Sequence, residues 1–135
     1  HIHSILAARI GEIEKAYQLF IHATRLDLDD YNNETDQGLH ITSMPGSWLA
    51  IVRGFAGLQI RGDVLSLSPV IPEKWDSYSF KINYLENTLS IHVGKNIEIS
   101  LITGTELNID VYQNVYILKQ GVNLEIKKKD VVNKK

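Results

Sequence analysis

Apolar residues along this chain keep two different periods, and the change falls near residue 60. In the first part Ile5, Leu6, Ile10, Ile13, Ala16, Tyr17, Phe20 and Ile21 recur at steps of three and four, which predicts an amphipathic helix from about Ser4 to Arg25. Gly11 interrupts it. If Gly11 ends a first helix, Glu12 to Arg25 is a second, and the two fold back on each other as a hairpin. From Asp27 the pattern dissolves into a stretch rich in Asp, Asn and Gly, residues that satisfy nearby backbone groups and so favour loops. A further helix is predicted from about Met44 to Gln59. It is apolar almost all round, with Trp48, Leu49, Ile51, Val52, Phe55, Ala56 and Leu58, and so calls for burial among neighbours that the chain itself scarcely supplies.

After Ile60 the period becomes two. Val64 to Leu67, Ser79 to Tyr84, Thr88 to Val93, Ile97 to Leu101, Val115 to Leu118 and Asn123 to Ile126 alternate or are rich in β-formers. Glu86-Asn87, Gly94-Lys95-Asn96 and Gln120-Gly121 separate several of them at short intervals, which predicts hairpins in a small antiparallel β-sandwich. The fold class expected is α+β, with a helical unit over 1–60 and an all-β unit over 61–135. No internal repeat is evident, and the lysine-rich end from Lys127 to Lys135 reads as a solvated tail.

Composition narrows the function classes. With 135 residues and a net charge of −2, neither a polyanion nor a membrane surface is called for as a partner. The basic tail lacks the interleaved aromatics of a single-strand nucleic-acid site. No apolar run reaches the roughly 20 residues of a membrane span. There are no cysteines, which removes disulfide and thiolate chemistry and fits a cytoplasmic location. The chain starts at His1 without a secretion-type leader, so it is expected to begin inside a larger protein.

The stretch Gly38-Leu39-His40-Ile41-Thr42-Ser43-Met44-Pro45-Gly46-Ser47-Trp48 carries the most chemistry. Ser43 is a suitable N-cap, Pro45 suits a first helical turn, and an apolar run follows. The unpaired N–H groups near Met44 to Gly46 and the positive end of the helix dipole could hold an anion, with His40, Thr42 and Ser43 adding donors. From these residues alone, an ordinary cap with a buried, hydrogen-bonded histidine is the more economical reading. Asp27, Asp29 and Asp30 form a carboxylate cluster, but in a polar loop such acids are more often solvated or capping, so no metal site is assigned. His1, His3, His22 and His92 lack metal-ligand spacing and are treated as structural or exposed. Trp48 and Trp75 are read as packing residues rather than sugar platforms.

Several motifs together resemble glycoside hydrolase family 65, the inverting phosphorylases of maltose, trehalose, kojibiose and related α-glucosides. They are His3-Ser4-Ile5-Leu6-Ala7-Ala8-Arg9-Ile10-Gly11, Ala16-Tyr17, Arg25 to Asn33, Gly38 to Trp48, Gly54-Phe55-Ala56-Gly57-Leu58, Leu65 to Pro69 and Pro72-Glu73-Lys74-Trp75. The Leu26 to Asn33 run looks most like the maltose and trehalose branch. Pro45 departs from the small residue, such as alanine, that the family pattern leads one to expect.

What the resemblance implies is a C-terminal portion of such an enzyme. Residues 1–60 would be closing helices of an (α/α)6 barrel carrying a phosphate loop, and 61–135 a C-terminal β-sandwich. His40, Thr42 and Ser43 would bind inorganic phosphate, which is a co-substrate, and no cofactor is implied. The reaction would convert an α-linked disaccharide and phosphate into β-glucose 1-phosphate and glucose. The general acid of the family is a glutamate upstream of this region. Nothing here aligns with it, so this chain alone should be catalytically silent. Glu12 and Glu14 fall on a solvated helix face and Glu34 in a loop, with no reason for a raised pKa. Implied partners are the disaccharide, phosphate, the remainder of the barrel and a second subunit. Two alternatives stand beside this: a family hydrolase of trehalose, kojibiose or nigerose, which would need a carboxylate base that Gly38 to Gly46 lacks, and a non-catalytic structural or carbohydrate-binding β module.

Overall fold

A computed structural model describes residues 1–29, 38 and 41–127, and the chain divides into two compact units, His1–Gly57 and Leu58–Lys135. In the first unit, α1 (Ile2–Arg9) and α2 (Ile13–Thr24) are separate helices. The break falls at Gly11, whose φ of +84° an L-residue side chain resists, so the chain turns there and α2 packs back on α1. The conditional hairpin read from the sequence is the arrangement found. One turn, α3 (Leu26–Asp29), follows where loop chemistry was expected. The Arg25 guanidinium grips the Asp29 carboxylate through two hydrogen bonds of 2.6 Å, an i,i+4 pair that favours the helical turn.

The helix expected from Met44 to Gln59 begins earlier and changes type. α4 (Ser43–Leu49) runs directly into a π-helical segment, Ala50–Phe55, closed by the Ala56 N–H on the Ile51 carbonyl at 2.8 Å. Both pieces pack through small residues. Ser4, fully buried, donates its hydroxyl to the Ala16 carbonyl at 2.8 Å, and Ala7, Ala8 and Ala16 are buried around it. A Cβ on Gly54 would lie 3.3 Å from the Ile5 Cα, so the π-helical turn meets the backbone of α1. Phe20 of α2 fills the remaining space against Phe55, ring edge to face at 5.8 Å and 88°.

Expected burial of the last helix on all sides is only half met. Ala50, Val52, Phe55 and Ala56 are buried, whereas Met44, Trp48 and Leu49 remain exposed, Trp48 at 48%. The reason is geometric: α1 and α2 cover one side of this helix and no described element of the unit covers the other.

The second unit holds two four-stranded sheets. The first has the order β1-β2-β6-β7, from β1 (Gln59–Arg61), β2 (Val64–Leu67), β6 (Glu106–Val111) and β7 (Asn114–Lys119). The other is β3-β4-β5-β8, from β3 (Tyr78–Tyr84), β4 (Asn87–Val93), β5 (Asn96–Thr103) and β8 (Asn123–Lys127). β5 lies near β7, so the buried rows face one core: Leu65, Leu67, Ile109, Val111 and Leu118 from one sheet, and Leu89, Ile91, Val93, Ile97, Ile99, Leu101 and Ile126 from the other.

Three expectations need correction here. The sandwich is not wholly antiparallel, because β2 pairs with β6 in parallel, Leu65 opposite Ile109. β1 and β6 were also absent from the sequence reading. β6 alternates Leu107, Ile109 and Val111 with Glu106, Asn108 and Asp110, polar residues depleted in strands, and its pairing with β2 is a tertiary contact. The β3–β4 turn is Leu85-Glu86, one residue before the pair expected. Both take positive φ, 44° and 62°, as a two-residue hairpin joining Tyr84 to Asn87 requires.

The segment after β2 is tied down by two phenols. Tyr112, in the β6–β7 turn, donates its hydroxyl to the Pro69 carbonyl, and Tyr78 donates to the Val70 carbonyl at 3.0 Å. Burial pushes the Tyr112 phenol from 10.0 up to about 12. Burial first, and the neighbouring Tyr112 second, raise Tyr78 further.

Two measurements test these packing arguments. Ser4→Ala leaves the Ala16 carbonyl without its buried donor and should lower the unfolding free energy by about 1 kcal/mol in guanidinium titration. The raised Tyr112 pKa means that the folded state holds the proton more tightly than the unfolded one, so its stabilisation is complete below pH 10 and lost as pH rises toward about 12. Tyr112→Phe should therefore flatten the decline of the denaturation midpoint over that alkaline window, while lowering the midpoint at neutral pH.

Candidate functional site

The start of α4 is where the sequence places its chemistry. His40 lies outside the described residues. Thr42 is exposed and Ser43 half-buried, so two of the three candidate anion ligands sit side by side where the helix begins.

Local geometry differs from the expected cap. Thr42, not Ser43, is the N-cap, with helical φ −64° and ψ −19° and no side-chain capping bond. Pro45 accounts for the missing capping bond. With Thr42 as cap, the third helical position is a proline with no N–H to offer the threonine hydroxyl, and the Met44 N–H at the second is bonded to the Ile41 carbonyl. Ser43 is the first helical residue and its carbonyl accepts the Ser47 hydroxyl at 2.6 Å. The amides expected to face an anion are largely spoken for: Met44 N–H donates to the Ile41 carbonyl at 3.2 Å, Gly46 N–H donates to the Thr42 carbonyl at 3.3 Å, and Pro45 has none. What the described residues offer an anion is therefore the pair of hydroxyls on Thr42 and Ser43 at the positive end of the helix.

One neighbour was not visible in the sequence. Gly46 is buried, and a Cβ there would meet the His1 ring at 2.0 Å from Cδ2 and 2.6 Å from Nε2. The imidazole of His1 thus lies directly on the first turn of α4, and its Nδ1 is buried without a hydrogen-bond partner. No local pattern could have announced a contact between residues so far apart in the chain.

Other candidate groups are dispersed. Glu12 and Glu14 are exposed, with the Glu14 carboxylate accepting a hydrogen bond from Gln18 at 2.8 Å, and Glu34 lies outside the described residues. Of the three aspartates, Asp29 is engaged by Arg25, while Asp30 and the side chain of Asp27 are not described. Among the described residues no group of three or more His, Cys, Asp or Glu is set to hold a metal ion. His3 and His22 are exposed and His92 half-buried. Trp75 packs edge-on against Tyr78 at 5.8 Å, as a packing residue would. No helix among the described residues is long and apolar enough to cross a membrane.

Comparison with known proteins gives the arrangement its context. Residues 1–49 match the glycosyl hydrolase family 65 central catalytic domain, and residues 58–118 match the glycosyl hydrolase family 65 C-terminal domain. The chain belongs to glycosyl hydrolase family 65. Thr42, Ser43 and the first turn of α4 fall within the catalytic-domain match. Among family relatives, the chain is 48% identical to an α,α-trehalose phosphorylase of Geobacillus stearothermophilus, covering 93% of this chain and 16% of that protein. It is 45% identical to a maltose phosphorylase of Bacillus subtilis, covering 87% and 16%, and 34% identical to a kojibiose phosphorylase of Halothermothrix orenii, covering 98% and 17%. A solved structure of a candidate kojibiose phosphorylase from the human microbiome superposes with a TM-score of 0.86 at 45% identity, over 94% of this chain and 17% of that one. The chain thus spans about one sixth of the length of these family relatives.

The packing of His1 on Gly46 yields a coupling prediction. Gly46→Ala should drive a methyl into the imidazole and destabilise the helical unit by roughly 1–2 kcal/mol, an overpacking cost. Adding His1→Ala should recover most of the loss. A double-mutant cycle by thermal melting reads the coupling, and purely additive effects would remove the contact.

Proposed function

We propose that this chain is the C-terminal portion of an inverting α-glucosyl disaccharide phosphorylase, with residues 1–57 belonging to a larger helical barrel. In this reading it supplies the phosphate-binding segment and leaves the general acid to the part of the enzyme outside it. The observation that carries the proposal is the match of residues 1–49 to the family's catalytic domain, together with relatives named as phosphorylases across 87–98% of the chain.

The chemistry fits the residues at the start of α4. Inverting cleavage of a glycoside protonates the leaving oxygen from one face and attacks the anomeric carbon from the other through an oxocarbenium-like transition state. Phosphate arrives already anionic, so no general base is required, and the protein's task is to fix it in line with the scissile bond. Two hydroxyl donors, Thr42 and Ser43, at the positive end of a helix suit that task. His40 would add a donor, and a bound dianion would favour its charged form. A hydrolase would need a carboxylate to activate water, and Gly38 to Gly46 contains none. The enzyme would need no cofactor, act in the cytoplasm and work as a dimer. Its products would be β-glucose 1-phosphate and glucose, with maltose or trehalose as the substrate.

The deciding assay is release of β-glucose 1-phosphate by the full-length parent protein on maltose, trehalose and kojibiose, with and without inorganic phosphate. Phosphate-independent release of glucose would replace the proposal with the hydrolase. In the same protein, His40→Ala should raise the KM for phosphate about tenfold or more, the loss of one charge-assisted hydrogen bond, and leave the KM for the sugar within about twofold. Unchanged phosphate saturation would remove His40 from the site.

A further inference from the structure

Gly46 lies inside the first turn of α4, although glycine is among the poorest helix formers. The space left by its missing side chain is taken by the ring of His1, whose Cδ2, Cγ and Nε2 would lie 2.0, 2.4 and 2.6 Å from a Cβ at that position. Both ends of this contact are anchored. His1 is the N-cap of α1 and its carbonyl accepts the Ile5 N–H at 3.1 Å, while the Gly46 N–H donates to the Thr42 carbonyl at 3.3 Å. Direct contacts therefore run from the start of α1, through the imidazole, to the residue that begins α4. Against α1 the long helix is thus met at two glycines, Gly54 by the Ile5 backbone and Gly46 by the His1 ring. The seam at Gly54 sets the course of the helix, and the contact at Gly46 stops its first turn from swinging about that seam.

We propose that His1 is a positioning residue of the phosphate site: its ring, laid on Gly46, holds the first turn of α4 and with it the hydroxyls of Thr42 and Ser43. The inference rests on the reading of those two residues as phosphate ligands. The turn needs such support, because Thr42 makes no side-chain capping bond and Pro45 has no N–H to give. His1 Nδ1 is buried without a hydrogen-bond partner, so what the imidazole brings to α4 is its flat face and not a bond from that nitrogen. A residue of this kind touches neither substrate nor reacting atoms. It acts through the geometry it keeps, since a displacement of about 1 Å in a group that fixes the nucleophile is enough to slow an in-line attack.

The test uses the full-length parent and two variants of it. Inorganic phosphate is titrated calorimetrically in the absence of sugar, and phosphorolysis is assayed alongside. His1→Ala should weaken phosphate binding at least about fivefold and leave the KM for the disaccharide within about twofold. Because the ring acts through its face, His1→Phe should keep phosphate affinity within about twofold of the parent. A residue that served stability alone would lower the melting temperature in His1→Ala without this split between phosphate and sugar. Unchanged phosphate affinity in His1→Ala would overturn the proposal, as would an equal loss for phosphate and sugar, or a loss that His1→Phe shares. A parent that binds phosphate, loses affinity in His1→Ala and releases no phosphate-dependent product would sink the phosphorylase reading and leave the positioning role standing. One that binds no phosphate would remove both.

Discussion

The close approach of α1 to the π-helical turn at Gly54 governs what the helical unit can present. With no side chain at residue 54, the π-helical backbone comes within contact distance of the Ile5 Cα. At that separation the inner face of α1 has room only for Ser4, Ala7 and Ala8, and the hydroxyl of Ser4 must find its partner inside the protein, which it does at the Ala16 carbonyl. α4 is continuous with the π-helical segment, so its direction is inherited from this seam. Thr42 and Ser43 are placed by packing more than ten residues further along the chain. Their own caps do little, since Thr42 makes no side-chain capping bond. Residues placed in this way draw their rigidity from apolar contacts behind them.

The β unit solves a similar problem with polar groups. The stretch from Ser68 to Ser77 contains three of the unit's constraints, Pro69, Pro72 and Trp75, and connects two different sheets. A connection without ladder bonds would leave carbonyls unpaired against the core. Tyr78 and Tyr112 reach Val70 and Pro69 and satisfy them, and their burial is what makes the phenols so reluctant to ionise.

Much of this was legible in the sequence, for identifiable reasons. Period and punctuation marked the change from helices to strands near residue 60 and most of the strands, and left a break at Gly11 conditional, because alternation such as Leu89, Ile91, Val93 is enforced by burial of one sheet face. The family resemblance, carried by motifs spread from His3 to Trp75, was legible as well. Where local and tertiary forces part, the reading failed. β6 alternates Leu107, Ile109 and Val111 with Glu106, Asn108 and Asp110, weak strand formers, and is held by β7 along its whole length and by β2 on its other edge. Ser43 looked like a cap, whereas the helix starts one residue earlier, with Thr42 as its N-cap. The π-helical register has no short-range signature in Ala50 to Phe55, and the stacking of His1 on Gly46 is a contact between distant residues. Of the three anion ligands read from the sequence, two are seen together at the helix start, and His40 falls among residues the structure does not describe.

The parallel pairing of β2 with β6 bears on the order in which the sandwich can assemble. β3, β4 and β5 follow one another through short hairpin connections, so their pairing closes only small loops. β2 and β6 are separated in sequence by the whole of that meander, so Leu65 must find Ile109 across it. Closing a long loop costs more chain entropy than closing a hairpin, and contacts distant in sequence are the slow ones to form. The three-stranded meander is thus positioned to act as the template of the unit, and the sheet containing β1, β2, β6 and β7 as the piece completed on it. Until β6 pairs with it, β2 has an unpaired edge beside β1, which leaves Val64 to Leu67 open to wrong partners while the chain is folding.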